Sequence, residues 1–235
     1  MTDLSTNSSA NNPSTEIGDR IEQIRKTLPS HVRLIAISKT VSSDAIRQAY
    51  AAGIRDFGES RVQESSVKQA ELKDLTDITW HFIGHLQTNK AKKAIAQFQW
   101  IHSVHSLNLA RRLNDLAADL PLLPKVCLQV KLVPDANKYG WSQSQLLDDL
   151  PQLNLLDALD IQGLMTIPPL GLSNDETYEI YRRTAALADR IRQKDWSHLQ
   201  MHHLSMGMSG DYPLAIQAGA TAIRLGRILF GERHR

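Results

Sequence analysis

A lysine at the end of a short apolar run is the residue of this chain best suited to covalent chemistry. Lys39 follows the segment Arg33–Ser38, in which residues 34–37 are all apolar. Such a run predicts a buried parallel strand, and α/β folds place their ligands at the carboxyl ends of such strands. An amine held there could form a Schiff base, although a lysine at a strand end is more often a solvated ammonium ion.

Two loops rich in small residues near the end of the sequence suggest an anion site. They run from Leu204 to Asp211 and from Arg224 to Arg227. Each precedes a predicted helix start, where free backbone N–H groups and the helix dipole can meet a phosphate. Ser205 and Ser209 could add hydroxyl donors. The alternative is that Ser209 only caps the next helix and that the glycines only turn the chain.

Polar side chains also follow two other predicted strands. Glu59 and Arg61 lie just past the second strand, where they could contact a ligand or form a local ion pair, and the local pair is the interpretation we favour. His81 and His85 are four residues apart, a spacing that suits one face of a helix, but here they fall on a strand and its exit. We therefore predict no metal site.

Strand-like and helical patterns alternate along the chain and must position these residues. Ile17, Ile21 and Ile24 recur at helical spacing and predict a lead-in helix before the first strand. Longer helical stretches follow some of the strand-like runs, as at Asp175–Gln193. We predict strands at Arg33–Ser38, Arg55–Gly58, Thr79–Gly84, Trp100–Ser103, Lys125–Val130, Ile161–Met165, His202–Ser205 and Thr221–Leu225.

Eight strand and helix units in a chain of 235 residues predict one α/β domain, a single (β/α)8 barrel of the TIM type. An open doubly wound sheet seldom needs so many similar crossovers. Residues 1–15 are rich in Ser, Asn and Thr, and we expect them to form a disordered tail before a barrel over residues 16–235. In such a barrel the site is built from the loops that follow the strands.

Composition excludes several other classes of function. The 27 basic and 25 acidic residues give a net charge of +2 and are scattered along the chain, which argues against a nucleic-acid surface. No apolar run approaches the roughly 18 residues of a membrane span. The one cysteine, Cys127, cannot form an internal disulfide, and the first residues lack the pattern of a signal peptide. We therefore expect a cytoplasmic protein.

A strand-end lysine and a phosphate cradle on the last two strands together suggest pyridoxal 5′-phosphate (PLP). The aldehyde of this cofactor needs a lysine, and its phosphate needs such a cradle. Other aldehyde or ketone phosphates would fit the same arrangement.

Taken together, the motifs resemble those of the pyridoxal phosphate homeostasis protein family, also called the YggS or PROSC family. The resemblance extends over about residues 17–235. It implies a single barrel like the amino-terminal domain of alanine racemase and a role in intracellular PLP homeostasis and amino-acid and keto-acid balance, without clear catalytic turnover. It rests on five segments: Ser38-Lys39-Thr40, Phe57-Gly58-Glu59, His81–Lys90, Leu204–Asp211 and Arg224-Leu225-Gly226.

The resemblance also implies roles for individual residues. Lys39 would hold PLP as a Schiff base, and Arg224 would face the pyridine nitrogen. A guanidinium cannot accept a proton, so that nitrogen would stay unprotonated and the cofactor would be a weaker electron sink. No catalytic residue or metal ligand is implied. The expected partners are PLP and PLP-accepting enzymes, and the expected state is a monomer. The phosphate end would be formed by Ser205, Met206, Ser209, Gly226 and Arg227.

Two other functions stay open at this point. A PLP-dependent enzyme with a narrow substrate, such as an amino-acid racemase, needs a second general base, for which His85, His203 and Tyr212 are the candidates. We expect no second domain of the kind that completes a racemase site, because the chain ends at Arg235 soon after the last predicted strand. A barrel enzyme for a phosphorylated metabolite would instead use Lys39 as an aldolase-like base.

Overall fold

The computed structural model describes residues 13–135 and 137–231, and its strands close into one parallel barrel. Each strand pairs with the next one along the chain, and the last pairs with the first. The predicted (β/α)8 barrel is therefore confirmed. The strands are β1 (Arg33–Ile37), β2 (Asp56–Glu59), β3 (Thr79–Phe82), β4 (Trp100–Val104), β5 (Lys125–Val130), β6 (Asp160–Thr166), β7 (Leu199–Ser205) and β8 (Ala222–Leu225).

Helices connect the strands and cover the outside of the barrel. The predicted lead-in helix is present, and its Ile17, Ile21 and Ile24 are buried. Most of the predicted tail, residues 1–12, lies outside the described residues. The α-helices are α1 (Pro13–Thr27), α2 (Ser43–Ala51), α3 (Val62–Glu71), α4 (Ala91–Ile95), α5 (Leu107–Ala117), α6 (Gln143–Leu153), α7 (Asn174–Arg192), α8 (Tyr212–Gln217) and α9 (Arg227–Phe230).

Side chains of the strands alternate between the helix layer and the inside of the barrel. On β1, Leu34 and Ala36 belong to the large core between sheet and helices, whereas Ile35 and Ile37 pack inside the barrel against Ala222. Both faces of a parallel strand are thus buried, which explains the uninterrupted apolar run. In the described part of the chain, no helix is long and apolar enough to cross a membrane.

The largest departure from the predicted strand bounds is at β7. It begins at Leu199, three residues before the predicted start at His202. Leu199 and Met201 are buried while Gln200 and His202 are exposed, so this part of β7 is covered on one face only. A prediction that looks for an unbroken apolar run misses such an alternating segment.

Gly163 provides a test of the barrel's packing. It lies on β6 opposite His203 of β7, and a Cβ atom added there would lie 1.8 Å from the His203 carbonyl oxygen. We expect Gly163→Ala to lower the free energy of unfolding by about 2 kcal/mol or more, because two backbone segments must separate. Urea denaturation measures this change.

Gly18 of α1 is the matched control. A Cβ added to Gly18 meets no atom within 4 Å, and alanine is the better helix former. Gly18→Ala should therefore leave stability unchanged or raise it by up to about 1 kcal/mol. Equal effects of the two substitutions would contradict the described contact between β6 and β7.

Candidate functional site

A cavity of about 440 Å³ lies at the carboxyl ends of the strands, within the size range of small-molecule sites. Its walls come from the loops after β1, β2, β3, β6, β7 and β8. A larger cavity of about 720 Å³ lies among Arg33, Trp100 and Lys125 at the amino ends of strands. Because barrels place their chemistry at the carboxyl end, the smaller cavity is the candidate site. It contains five of the predicted residues: Lys39, Ser209, Arg224, Gly226 and Arg227.

Lys39 lies in a tight turn that directly follows β1. Ser38 is buried, Lys39 is half-buried, and the Ser38 carbonyl accepts a hydrogen bond of 2.9 Å from the Val41 N–H. Thr40 has a φ of 62°, a left-handed conformation that is unfavourable for a β-branched residue. Its N–H donates to Glu64 Oε1 at 2.5 Å, which stabilises this conformation.

A buried lysine supports the same turn from behind. Lys68 is 7% exposed, and its Nζ donates to the Ser38 carbonyl at 2.7 Å, to Glu59 at 2.8 Å and to Glu64 at 2.7 Å. Burial raises the pKa of Glu59, and the bonds from Lys68 and Ser38 oppose this shift. The predicted pair between Glu59 and Arg61 is therefore wrong, since Lys68 of the following helix neutralises Glu59 instead.

Arg224 forms the inner wall of the cavity. It is 4% exposed, and its guanidinium donates from Nη1 to Ser205 Oγ at 2.8 Å and from Nη2 to the Thr166 carbonyl at 2.9 Å. Burial lowers the pKa of Arg224. In the pairing of β1 with β8, Arg224 lies opposite Ile35, so it stands on the strand next to the one that delivers Lys39.

Two of the predicted residues lie outside the lining of the cavity. Ser205 is completely buried at the end of β7, where its hydroxyl contacts Arg224 and His102. Met206 is also completely buried, and its N–H donates to the Ala222 carbonyl. The structure thus places Ser205 beneath the guanidinium rather than among the loops where a phosphate was expected.

Ser209 links the two glycine-containing loops. Its Oγ accepts a hydrogen bond of 3.3 Å from the Gly226 N–H. It does not cap α8, because the N-cap of that helix is Asp211, whose carboxylate accepts from the Met208 N–H at 2.7 Å. Gly207 precedes these residues with a φ of 94°, which favours glycine. The alternative in which Ser209 only caps a helix is therefore wrong.

The candidate second bases do not line this cavity. His85 stacks on Tyr139 with ring centroids 3.6 Å apart, and burial lowers its pKa. His203 lies inside the barrel beside Thr221, and burial lowers its pKa to about 3. Tyr212 begins α8. Within the described lining of the cavity, the acidic residue is Asp211.

Sequence reasoning missed several features of the cavity. Ser60 and Gly84 line it, and a Cβ atom on Gly84 would lie 2.2 Å from the Ser60 carbonyl oxygen. Lys138 joins two loops at this end of the barrel, since its Nζ donates to the carbonyls of Ile167, at 3.0 Å, and Pro168. The glycine in the His81–Lys90 segment was a usable signal, whereas the contacts of Lys138 depend on a loop 29 residues away.

A second group of titratable side chains fills the inside of the barrel. Potential ligand atoms of His102, Cys127 and His203 lie within 4.8 Å of one another. Burial raises the pKa of the Cys127 thiol. Both ring nitrogens of His102 already form hydrogen bonds, to His81 and Ser205, so binding a metal ion would break one of them.

The chain is similar in sequence to one known protein domain family and to several named relatives. The model of the alanine racemase N-terminal domain family matches residues 14–234. A pyridoxal phosphate homeostasis protein of Synechocystis sp. is 53% identical over 211 residues, 90% of this chain and 96% of the relative. Another, from Pseudomonas aeruginosa, is 44% identical over 207 residues, 87% of this chain and 86% of the relative.

Solved structures with the same fold include two of PipY and one of an alanine racemase. PipY of Synechococcus elongatus with PLP bound has a TM-score of 0.88 at 51% identity, over 92% of this chain and 100% of that one. The structure of PipY without PLP has a TM-score of 0.89 at 52% identity, with the same coverage. An alanine racemase of Clostridium difficile shares the fold at 15% identity and a TM-score of 0.72, over 94% of this chain and 58% of that one.

Lys68 provides a test of how the Lys39 turn is supported. We expect Lys68→Met to lower the free energy of unfolding by about 3 kcal/mol, because it leaves the Glu59 carboxylate buried without a cation. The double variant Lys68→Met/Glu59→Gln should regain part of this loss, since it removes both charges. Urea denaturation at neutral pH measures both changes. A Lys68→Met protein within about 0.5 kcal/mol of wild type would contradict the described pairing.

Proposed function

The chain belongs to the pyridoxal phosphate homeostasis protein family, and from that premise we propose that it binds PLP at the carboxyl end of its barrel. Its role would be to take part in intracellular PLP homeostasis and in the balance of amino acids and keto acids. One observation carries the proposal: a lysine, a buried arginine and the Ser209–Gly226 contact border the same cavity.

The chemical groups around the cavity match the three parts of the cofactor. When bound, PLP supplies an aldehyde that bonds covalently to a lysine amine, and Lys39 is the residue proposed to provide it. Ser209, Gly226 and Arg227 would hold the phosphate through a hydroxyl, a backbone N–H and a positive charge. Ser205 and Met206 are completely buried and lie outside the described lining of the cavity. We therefore assign Ser205 to the support of the Arg224 guanidinium and Met206 to the core behind the site.

Arg224 would contact the pyridine nitrogen. Its Nη atoms are already oriented by Ser205 and Thr166, so the guanidinium does not have to be ordered when a ligand arrives. Since a guanidinium donates hydrogen bonds and accepts none, the ring nitrogen beside it would remain unprotonated. This favours holding the cofactor over carbanion chemistry, for which a protonated ring is the better electron sink.

We infer that the protein binds the cofactor without catalytic turnover. A racemase needs a second base across the substrate, and His85, His203 and Tyr212 are not among the described residues that line the cavity. The similarity to alanine racemase, at 15% identity, extends to the fold alone. That the protein is a cytoplasmic monomer that passes PLP to accepting enzymes stays a prediction.

Visible absorbance and borohydride reduction test the proposal. With added PLP, the wild-type protein should develop a visible band, and reduction should attach the cofactor to the peptide that contains Lys39. Lys39→Arg is the matched variant, because it retains the positive charge but cannot bond the aldehyde. It should lose the band and the labelled peptide while it remains folded by circular dichroism.

Three results would contradict the proposal or part of it. A wild-type protein that gains no band at saturating PLP would favour a barrel that binds another phosphorylated metabolite. Labelling of a different lysine, with the band unchanged in Lys39→Arg, would place the cofactor elsewhere on the protein. Racemisation of an amino acid by the loaded wild-type protein would overturn the inference of binding without turnover.

A further inference from the structure

An unbroken series of hydrogen bonds crosses the inside of the barrel from Asp56 to Arg224. Asp56 Oδ1 lies 2.9 Å from His81 Nε2, and His81 Nδ1 lies 2.9 Å from His102 Nε2. His102 Nδ1 lies 2.7 Å from Ser205 Oγ, which lies 2.8 Å from Arg224 Nη1. The five residues come from five strands, β2, β3, β4, β7 and β8.

The chemistry of its two ends gives this series one direction. A carboxylate accepts, so His81 must donate from Nε2, and a neutral His81 then has only Nδ1 left as an acceptor. His102 must therefore donate from Nε2 and accept at Nδ1, which requires Ser205 to donate its hydroxyl proton. Ser205 Oγ in turn accepts from the Arg224 guanidinium, which can only donate.

The surroundings keep both imidazoles neutral, as this direction requires. His81, His102 and Ser205 are completely buried. Burial lowers the pKa of His81 and lowers that of His102 well below its ordinary value, so neither ring is protonated near neutral pH. The Trp100 ring stacks against His81, with ring centroids 5.9 Å apart and an interplanar angle of 16°.

We propose that Asp56 positions Arg224 through His81, His102 and Ser205. A carboxylate at the amino end of the barrel would thereby fix the orientation of the guanidinium at the opposite end. Asp56 is the one partly exposed member among these five residues, with a side chain that is 22% accessible and lies 3.5 Å from Arg33. The part of this inference that concerns the cofactor ring rests on the proposed function, whereas the positioning itself is a property of the protein alone.

The first test uses the protein without cofactor. Nitrogen-15 NMR of the histidine rings should show His81 and His102 as neutral Nε2–H tautomers, with assignments from His81→Gln and His102→Gln. In Asp56→Ala, at least one ring should change to the Nδ1–H tautomer, and the Arg224 guanidinium protons should exchange with water about tenfold faster. Unchanged tautomers and unchanged exchange would overturn the proposal.

Asp160 supplies the matched control. It begins β6 at the same end of the barrel, and its carboxylate accepts from Gln162 Nε2 at 2.6 Å. Asp160→Ala should leave the histidine tautomers and the exchange of the Arg224 guanidinium protons unchanged. If Asp160→Ala changes them as much as Asp56→Ala does, the effect comes from a general destabilisation of the barrel, and the proposal is overturned. If Asp56→Ala does not fold, Asp56→Asn replaces it. The asparagine amide can donate a hydrogen bond to His81 Nε2, which would move the His81 proton to Nδ1 and so produce the same change of tautomer.

A double-mutant cycle on PLP binding is the second test. We expect Asp56→Ala and Ser205→Ala each to raise the dissociation constant about tenfold, and the double variant to be no weaker than Ser205→Ala alone. Effects that multiply to about a hundredfold would overturn the proposal. Failure of the wild-type protein to bind PLP would refute the proposed function, and the measurements on the cofactor-free protein would still decide the role of Asp56.

Discussion

The site depends on a positive charge that is buried in the barrel and held by neutral groups. The Nη atoms of Arg224 donate to a hydroxyl and to a backbone carbonyl rather than to a carboxylate. A buried charge needs well-placed partners, because taking it out of water is expensive. The polar interior of this barrel, with its serine and its neutral histidines, is the consequence of that requirement. An aliphatic residue in place of Ser205 would leave Nη1 of this guanidinium without the hydroxyl that accepts its hydrogen bond.

A second buried cation has a different task at the edge of the same barrel. Lys68 neutralises Glu59 and holds the Ser38 carbonyl, and so it supports the turn that carries Lys39. Lys68 supports the turn that follows β1, Arg224 belongs to β8, and these two strands are neighbours in the barrel. The turn that carries Lys39 and the guanidinium of Arg224 are therefore each held by groups outside the described lining of the cavity, which favours pre-organised binding of a rigid ring.

The sequence predicted the barrel and most of the cavity because these depend on local patterns. Lys39, Ser209 and Gly226 follow strands, and residues after strands meet at one end of a barrel. Ser205 is different, since it is still part of β7 and its side chain points to the inside of the barrel. Which face a strand residue takes depends on register, and the contact of Ser205 with His102 joins positions 103 apart in the sequence.

The Glu59 pair shows the same limit on a shorter scale. Arg61 is the nearest cation in sequence, yet Lys68 reaches Glu59 because α3 turns that side chain back over the strand end. Patterns along the chain indicate which residues come near the site, but they do not indicate which of two cations is buried beside a carboxylate. Tertiary packing decides between Arg61 and Lys68, because only a cation that is buried beside Glu59 offsets the free-energy cost of burying its carboxylate.

Phosphorus-31 NMR of PLP bound to the protein tests the central claim most directly. If the phosphate lies among Ser209, Gly226 and Arg227, its resonance should differ from that of free PLP and stay constant between about pH 5 and pH 8, since the donors keep it dianionic. A resonance that titrates near pH 6, as an exposed phosphate monoester does, would contradict the account.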